Sequence, residues 1–342
     1  WRFGNIKDYC YLVNPYFPTE AMINKMKYFY DKLLFNYPSG QSIERICACR
    51  MFDNVSDDNI LIGNGAAELI NNLKYIVGKK IALTIPSFNE YVRCFPNSEI
   101  TYINSKDDNY RLSLNKLKET LNKVDTLIVI SPDNPSGSHL KYGEVIELLD
   151  MAKEMDKQVI FDESFIDFAN DSYTLINDDI LNKYPNLIVI KSISKSYGVP
   201  GLRLGVLASG NYEYLDIINR NMPVWNINSF AEYFLQIFLI YKKDYVYGCS
   251  KIKEERNRFY NELIKISELD VYDSEANYFM IKLNKSTANE IAEYLLDNNK
   301  ILIKVLNGKN GFDDKEYIRI AVKTKEENDY FIQSIKEYYD KK

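Results

Sequence analysis

SISKSYGVPGLRLG, Ser192 to Gly205, sets a lysine among small hydroxyl residues and follows it, eight positions on, with Arg203 in a glycine-rich turn. A lysine that forms a Schiff base needs its amine held near an aldehyde and partly desolvated, so that the neutral form is accessible. A separate cation must hold the phosphate of the bound cofactor. Lys195 and Arg203 divide those two tasks. Ser192 adds a hydroxyl for the phosphate, while Gly198, Gly201 and Gly205 let the backbone turn tightly beside a bulky ligand. The competing reading is a strand that ends in a polar loop carrying a surface lysine, and the motifs below weigh against it.

Around this segment, short apolar runs alternate with longer amphipathic ones: Lys80 to Pro86, Glu99 to Asn104, Thr126 to Pro132, Gln158 to Glu163, Leu187 to Ser194 and Arg203 to Ser209. The alternation predicts an α/β fold, a mostly parallel sheet with covering helices. Gly143 to Lys157 has helical apolar spacing with acidic residues early, which suits the helix dipole. Ligands in such sheets gather outside the strands' carboxyl ends, and Asp162, Asn134 and Lys195 all fall at or just beyond predicted strand ends. After about Ser229, long helices (Ser229 to Lys242, Tyr247 to Ile266) lead into a second, mixed domain with strands near Tyr278 to Leu283 and Tyr317 to Val322.

Composition narrows the function classes. The 342 residues allow a substantial core and two domains. With a net charge of −5 and no polybasic run, the electrostatic footprint of a nucleic-acid binder is missing. No apolar run is long enough for a membrane-spanning helix, and WRFGNIKDYC lacks the apolar core of a signal peptide, so no membrane association and a cytoplasmic location are the default expectations. Cys10, Cys47, Cys49, Cys94 and Cys249 are odd in number and scattered, and a single His139 leaves no zinc site. Free thiols in a reducing compartment, and no metal, are expected. The opening Trp1 reads as a mark of trimming, processing or excision from a longer polypeptide.

Several segments carry chemistry. GNGAAELI, Gly63 to Ile70, places two glycines before a run of good helix formers, so free amides at Ala66 and Ala67, after Gly65, can receive a phosphate; a purely structural turn is the alternative. IFDESFIDF, Ile160 to Phe168, puts Asp162 at a buried strand end, where an unpaired carboxylate is costly and a protonated ring nitrogen would be its partner. Glu163 and Asp167 read as solvated or structural. Lys304, Arg93 and Lys309 read either as anion-binding groups or as solvated surface residues.

Taken together, these stretches resemble the class I and II aminotransferases, fold-type-I enzymes of pyridoxal 5'-phosphate (PLP), from about Asn14 to the end of the chain. The resemblance implies a large domain over 37–235 with helices on both sheet faces. It also implies a smaller domain of 1–36 and 236–342, with the N-terminal arm packed on it. It makes Lys195 the Schiff-base lysine and Asp162 the partner of the cofactor's ring nitrogen. PSF, Pro86 to Phe88, resembles the turn whose aromatic residue stacks on the pyridine, against a plain core aromatic. In DNPSG, Asp133 to Gly137, Asn134 takes the place of the donor to the phenolic oxygen, with a cis bond to Pro135 open beside the reading as an ordinary turn. YIRIAVK supplies Arg319 for the substrate carboxylate, against a strand-edge surface arginine, and SEANYF supplies Asn277 as its support; Asn14 is a further substrate-side position. YPSG, Tyr37 to Gly40, resembles the segment whose tyrosine reaches the neighbouring subunit's phosphate, which implies a homodimer; a generic Tyr-Pro turn stays open.

Two departures stand out. Phe165 occupies the position of the family's tyrosine, removing one donor to the phenolic oxygen, and Lys304 replaces an arginine before the last strand. PSFNEY, DESFIDF and YIRIAVKTKEEN look most like the branch of histidinol-phosphate aminotransferases and threonine-phosphate decarboxylases, with DESF leaning to the decarboxylases. The resemblance implies a PLP-dependent aminotransferase acting on a small substrate, one bearing phosphate or phosphonate. The alternative is a PLP-dependent decarboxylase of a phosphorylated amino acid. A PLP-binding regulatory domain, or a C-terminal enzyme domain of a bifunctional chain, is the remaining reading.

Overall fold

The computed structural model describes residues 4–313 and 315–342, so Trp1 lies outside the described residues. Its strands are β1 (Lys7–Asp8), β2 (Ile60–Asn64), β3 (Lys80–Ile85), β4 (Glu99–Asn104), β5 (Thr126–Ile130), β6 (Gln158–Asp162), β7 (Leu187–Ser192), β8 (Leu204–Ala208), β9 (Leu269–Val271), β10 (Tyr278–Leu283), β11 (Ile301–Leu302), β12 (Lys304–Val305) and β13 (Glu316–Ala321). A seven-stranded sheet runs in the order β2-β8-β7-β6-β5-β3-β4. Its neighbours from β4 across to β7 are parallel, and β8 lies antiparallel between β7 and β2.

The strands β5, β6 and β7 are buried at every residue, which is why they read as continuous apolar runs. Alternate side chains feed two cores. Leu127, Val129, Val159, Phe161, Leu187 and Val189 pack into one, while Ile128, Ile130, Ile160, Ile188 and Ile190 pack into the other. Both faces are therefore covered by helices, as in fold-type-I PLP enzymes.

The helix expected over Gly143 to Lys157 spans Tyr142–Glu154 and buries Val145, Leu148, Leu149 and Ala152, one stripe at helical spacing. It starts where the Glu144 carboxylate accepts from the Lys141 amide at 2.8 Å, and it stops short because Asp156 turns left-handed at φ +52°.

A second, four-stranded antiparallel sheet runs β12-β13-β10-β9, and β1 pairs in parallel with β11. The helix expected to run to Lys242 ends at Ile237, tightens into a 3₁₀ turn over Phe238–Tyr241 and resumes as the long helix Lys242–Leu263. At the start of the chain, Tyr9 donates its hydroxyl to the Glu327 carbonyl at 2.6 Å and sets its ring 5.1 Å from Phe331. The N-terminal arm is thereby held on the second sheet's helices.

Candidate active site

Strand ends define one cleft. The chain leaves β2 into Gly65–Ala67, β3 towards Phe88, β5 towards Asn134 and β7 into Lys195; Asp162 closes β6, and Arg203 immediately precedes the antiparallel β8. Because antiparallel β8 begins where its neighbours β2 and β7 end, the topology gathers Ala66, Ala67, Phe88, Asn134, Asp162, Ser192, Lys195 and Arg203 around one cavity. Ile70, Ile130, Ser164, Phe165 and Ser194 complete its wall. A larger surface cavity lined by Arg111, His139 and Glu275 lies away from this cluster, and the smaller cleft is the candidate because lysine, buried carboxylate and guanidinium meet there.

Two lysines four residues apart have opposite electrostatics. Lys191 is buried; burial alone would lower its pKa, but Asp167 at 2.9 Å and Glu163 at 3.5 Å hold it above the ordinary lysine range. Lys195 has no such pair. Burial, reinforced by Arg319 and Arg203 and opposed by Asp162, lowers it to about 8. A neutral amine is thus accessible near neutral pH, as a nucleophilic lysine requires. Glu163 and Asp167 are structural rather than solvated: Glu163 accepts from Thr174 Oγ1 and the Leu175 amide, and Asp167 accepts from Ser196 Oγ.

Asp162 is 4% exposed, and its Oδ1 accepts from the Ser164 amide at 2.9 Å while Oδ2 accepts from the Tyr91 hydroxyl at 2.8 Å. Burial raises its pKa, and those hydrogen bonds work against that rise. Tyr91 was not singled out from the sequence. The signal was available, since it lies in PSFNEY three residues after Phe88, but nothing local says that a buried tyrosine points at a distant carboxylate.

At the opposite end of the cleft, Gly65 sits at φ +78°, and a Cβ there would lie 2.5 Å from Arg203 Nη2. Only glycine lets this turn close on the guanidinium. On the outer side, the Arg319 guanidinium donates from Nη1 to Asn134 Oδ1 at 2.6 Å and from Nη2 to the Cys10 carbonyl at 2.8 Å, and it lies 5.5 Å over the Tyr278 ring. The Asn134–Pro135 bond is cis, as the sequence suggested.

Four further residues weighed from the sequence do not line that cavity. Asn277 is fully buried and makes no hydrogen bond to Arg319, whose partners are Asn134 and Cys10. Asn14 spends its amide on the Ser196 carbonyl at 2.9 Å and its Oδ1 on the Tyr16 amide, so it clamps the lysine loop instead of facing a substrate. Tyr37 is 77% exposed, stacked at 4.4 Å on Trp225, outside its own chain's cleft. Arg93 is a surface residue paired with Glu90.

The residues present fit PLP. Arg203 beside the glycine turn and the Ala66–Asn72 helix start suits a phosphate, and the depressed Lys195 suits an aldehyde. Asp162, buried without a cation pair among the described residues, suits a ring N–H. Ser194 Oγ and Arg319 Nε are buried without a partner among the described residues, leaving polar capacity for bound groups.

Sheet order and cleft chemistry define a fold-type-I PLP enzyme. The chain matches the family "aminotransferase class I and II" over residues 9–335 and belongs to it, with PLP as its cofactor. It is 34% identical to an L-serine phosphate decarboxylase of Campylobacter jejuni, over 97% of this chain and 88% of that protein. Among solved structures, a decarboxylase from Sulfurospirillum multivorans superposes with a TM-score of 0.87 at 32% identity, covering 97% of this chain and 88% of that one. A histidinol-phosphate aminotransferase from Clostridium acetobutylicum superposes with a TM-score of 0.88 at 26% identity, covering 98% and 99%. The two decarboxylases, more similar in sequence than that aminotransferase, back the decarboxylase alternative better than transamination. Among the described residues, no helix is long and apolar enough to cross a membrane.

Proposed function

We propose that the protein is a PLP-dependent decarboxylase of a phosphorylated amino acid of the O-phospho-L-serine class, releasing carbon dioxide and leaving the phosphorylated amine. The observation that carries this choice is the near full-length 34% identity to an L-serine phosphate decarboxylase, since the cleft geometry supports either reaction. Bound PLP supplies an electron sink for the carbanion left when a bond at the substrate's α-carbon breaks.

The chain's own residues do the rest. Lys195 holds the cofactor covalently and, with its pKa near 8, returns a proton to the α-carbon. Asp162 would keep the ring nitrogen protonated, Asn134 would donate to the phenolic oxygen, and Phe88 would cover the ring, all three lining the cavity. Arg203, Ser192, Gly65, Ala66 and Ala67 hold the cofactor phosphate. Arg319, held by Asn134, would receive the substrate carboxylate, and its position would set which α-carbon bond is aligned for cleavage.

We assign 37–235 to a cofactor-binding domain and 1–36 with 236–342 to a smaller one, a division supported by the two separate sheets. A homodimer is supported by the aromatic surface of Phe35, Tyr37 and Trp225, each at least half exposed around one groove, from which Tyr37 would reach a partner's cofactor phosphate. Five free cysteines fit a cytoplasmic protein.

The test is incubation of the PLP-loaded protein with O-phospho-L-serine. Release of carbon dioxide with O-phosphoethanolamine is expected. Conversion of the cofactor to its pyridoxamine form without carbon dioxide would assign a transaminase, and absence of any turnover across amino acids would favour a ligand-sensing role.

A further inference from the structure

The hairpin that joins β12 to β13 places Lys309 in a pocket that adjoins the cleft across Phe88, which lines both. Lys304 and Arg319 are direct cross-strand partners, so their side chains leave the same face of the sheet. The connecting loop is pinned at its far end. Phe312 stacks on Tyr317 at 4.5 Å, and Gly311, at φ +96°, lies so close to the turn before Phe88 that a Cβ would sit 2.6 Å from the Pro86 nitrogen. Pinned in this way, the loop carries Lys309 over the cofactor-stacking turn, where its Nζ donates to Asn89 Oδ1 at 2.7 Å.

The charge balance around Lys309 is unusual for a half-buried lysine. Its partner is a neutral amide oxygen, and those of Arg319 are the neutral oxygens of Asn134 and Cys10. The nearby buried carboxylate, Asp133, already accepts from Ser87 at 3.1 Å and Ser136 at 2.8 Å. Burial lowers Lys309 to about 8, with Arg319 and Lys304 adding to the effect and Asp133 opposing it. Asp133 is the one carboxylate acting on Lys309 among the described residues, and it is shared with two serine hydroxyls, so a further anion would be favoured beside these three cations. One substrate carboxylate would satisfy Arg319, and a second anionic group on the substrate would suit the lysines.

We propose that Lys309, assisted by Lys304, is the residue that selects a phosphate-bearing substrate, receiving the phosphate dianion of an amino acid whose carboxylate Arg319 holds. This rests on the substrate class proposed above. It also gives the replacement of arginine by Lys304 a physical role: a compact ammonium beside Arg319 leaves room for the phosphate, and Lys309 supplies the second charge.

The experiment compares PLP-loaded wild type with Lys309→Met, Lys309→Gln and Lys309→Arg. Dissociation constants for O-phospho-L-serine and for L-serine are read from the visible absorbance of the bound cofactor, and their ratio measures discrimination. Wild type is expected to favour the phosphorylated amino acid, and Lys309→Met and Lys309→Gln to lower the ratio by about ten- to a hundred-fold, the range for losing one charged hydrogen bond. Lys309→Arg should retain most of it. An unchanged ratio in Lys309→Met or Lys309→Gln that still holds its cofactor overturns the role of Lys309 and leaves the decarboxylase reading intact. Preference for O-phospho-L-serine with amino transfer instead of carbon dioxide release overturns the decarboxylase reading alone. A wild type that does not discriminate overturns both.

Discussion

Lys191 and Lys195 show how neighbouring residues on one strand and its loop acquire different chemistry. Lys191 is locked between Asp167 and Glu163, whereas Lys195 is surrounded by guanidinium groups and burial that favour its neutral form. Tyr91 works at the same scale on Asp162. Replacing it by phenylalanine removes a 2.8 Å donor from a buried carboxylate whose pKa burial already raises, so the carboxylate takes up a proton at higher pH. Tyr91→Phe is expected to move the acid limb of the pH–activity profile upward and to lower turnover about tenfold, as for loss of one hydrogen bond to a charged group. An unmoved acid limb would remove Tyr91 from this role. Phe165 makes a further prediction: with one donor fewer at the phenolic oxygen, the Lys195–cofactor linkage should keep its proton to higher pH than in tyrosine-bearing relatives. Titrating the visible absorbance of the bound cofactor checks this, and a pKa as low as in those relatives would contradict it.

The elements were legible where periodicity was strong. Continuous apolar runs gave β3, β5, β6 and β7 to within two residues at their ends, because buried parallel strands need apolar residues on both faces, and the edge strand β4 was legible from its alternating apolar residues. β2 escaped because its five residues, ILIGN, run directly into the glycine turn that drew attention first. The two-residue strands β1, β11 and β12 exist only through pairing with distant partners, which no local pattern reveals. The same limit hid Tyr91 and the half-buried state of Lys309, since both depend on which segments the sheet order brings together. At the turn after β2, Gly65→Ala would place a methyl against Arg203 at a positive φ. Loss of cofactor affinity by at least tenfold is expected, together with a stability cost of about 1 kcal/mol. PLP titration and thermal melts separate the two, and unchanged PLP binding would show that Arg203 does not hold the phosphate.

For the whole molecule, stability depends on pH through buried acids. Glu44 is fully buried beside Glu232 and Glu68, and burial, reinforced by those neighbours, raises it from 4.5 to about 7. A raised carboxyl pKa means that the folded state binds the proton more tightly than the unfolded chain. The contribution is complete below pH 4.5 and is lost as pH climbs through about 7. Glu44→Gln is therefore expected to raise the melting temperature at pH 8 and to leave it nearly unchanged at pH 5; equal effects at both values would contradict the assignment. In the proposed function the seven- and four-stranded sheets and the clamped N-terminal arm set one amine, that of Lys195, where the aldehyde of the cofactor would lie. Borohydride reduction of the PLP-loaded protein, followed by peptide mass mapping, tests that directly. The phosphopyridoxyl label is expected on Lys195 and should vanish in Lys195→Ala, whereas a label on Lys191 or another lysine, or none on a folded protein holding its cofactor, would contradict it.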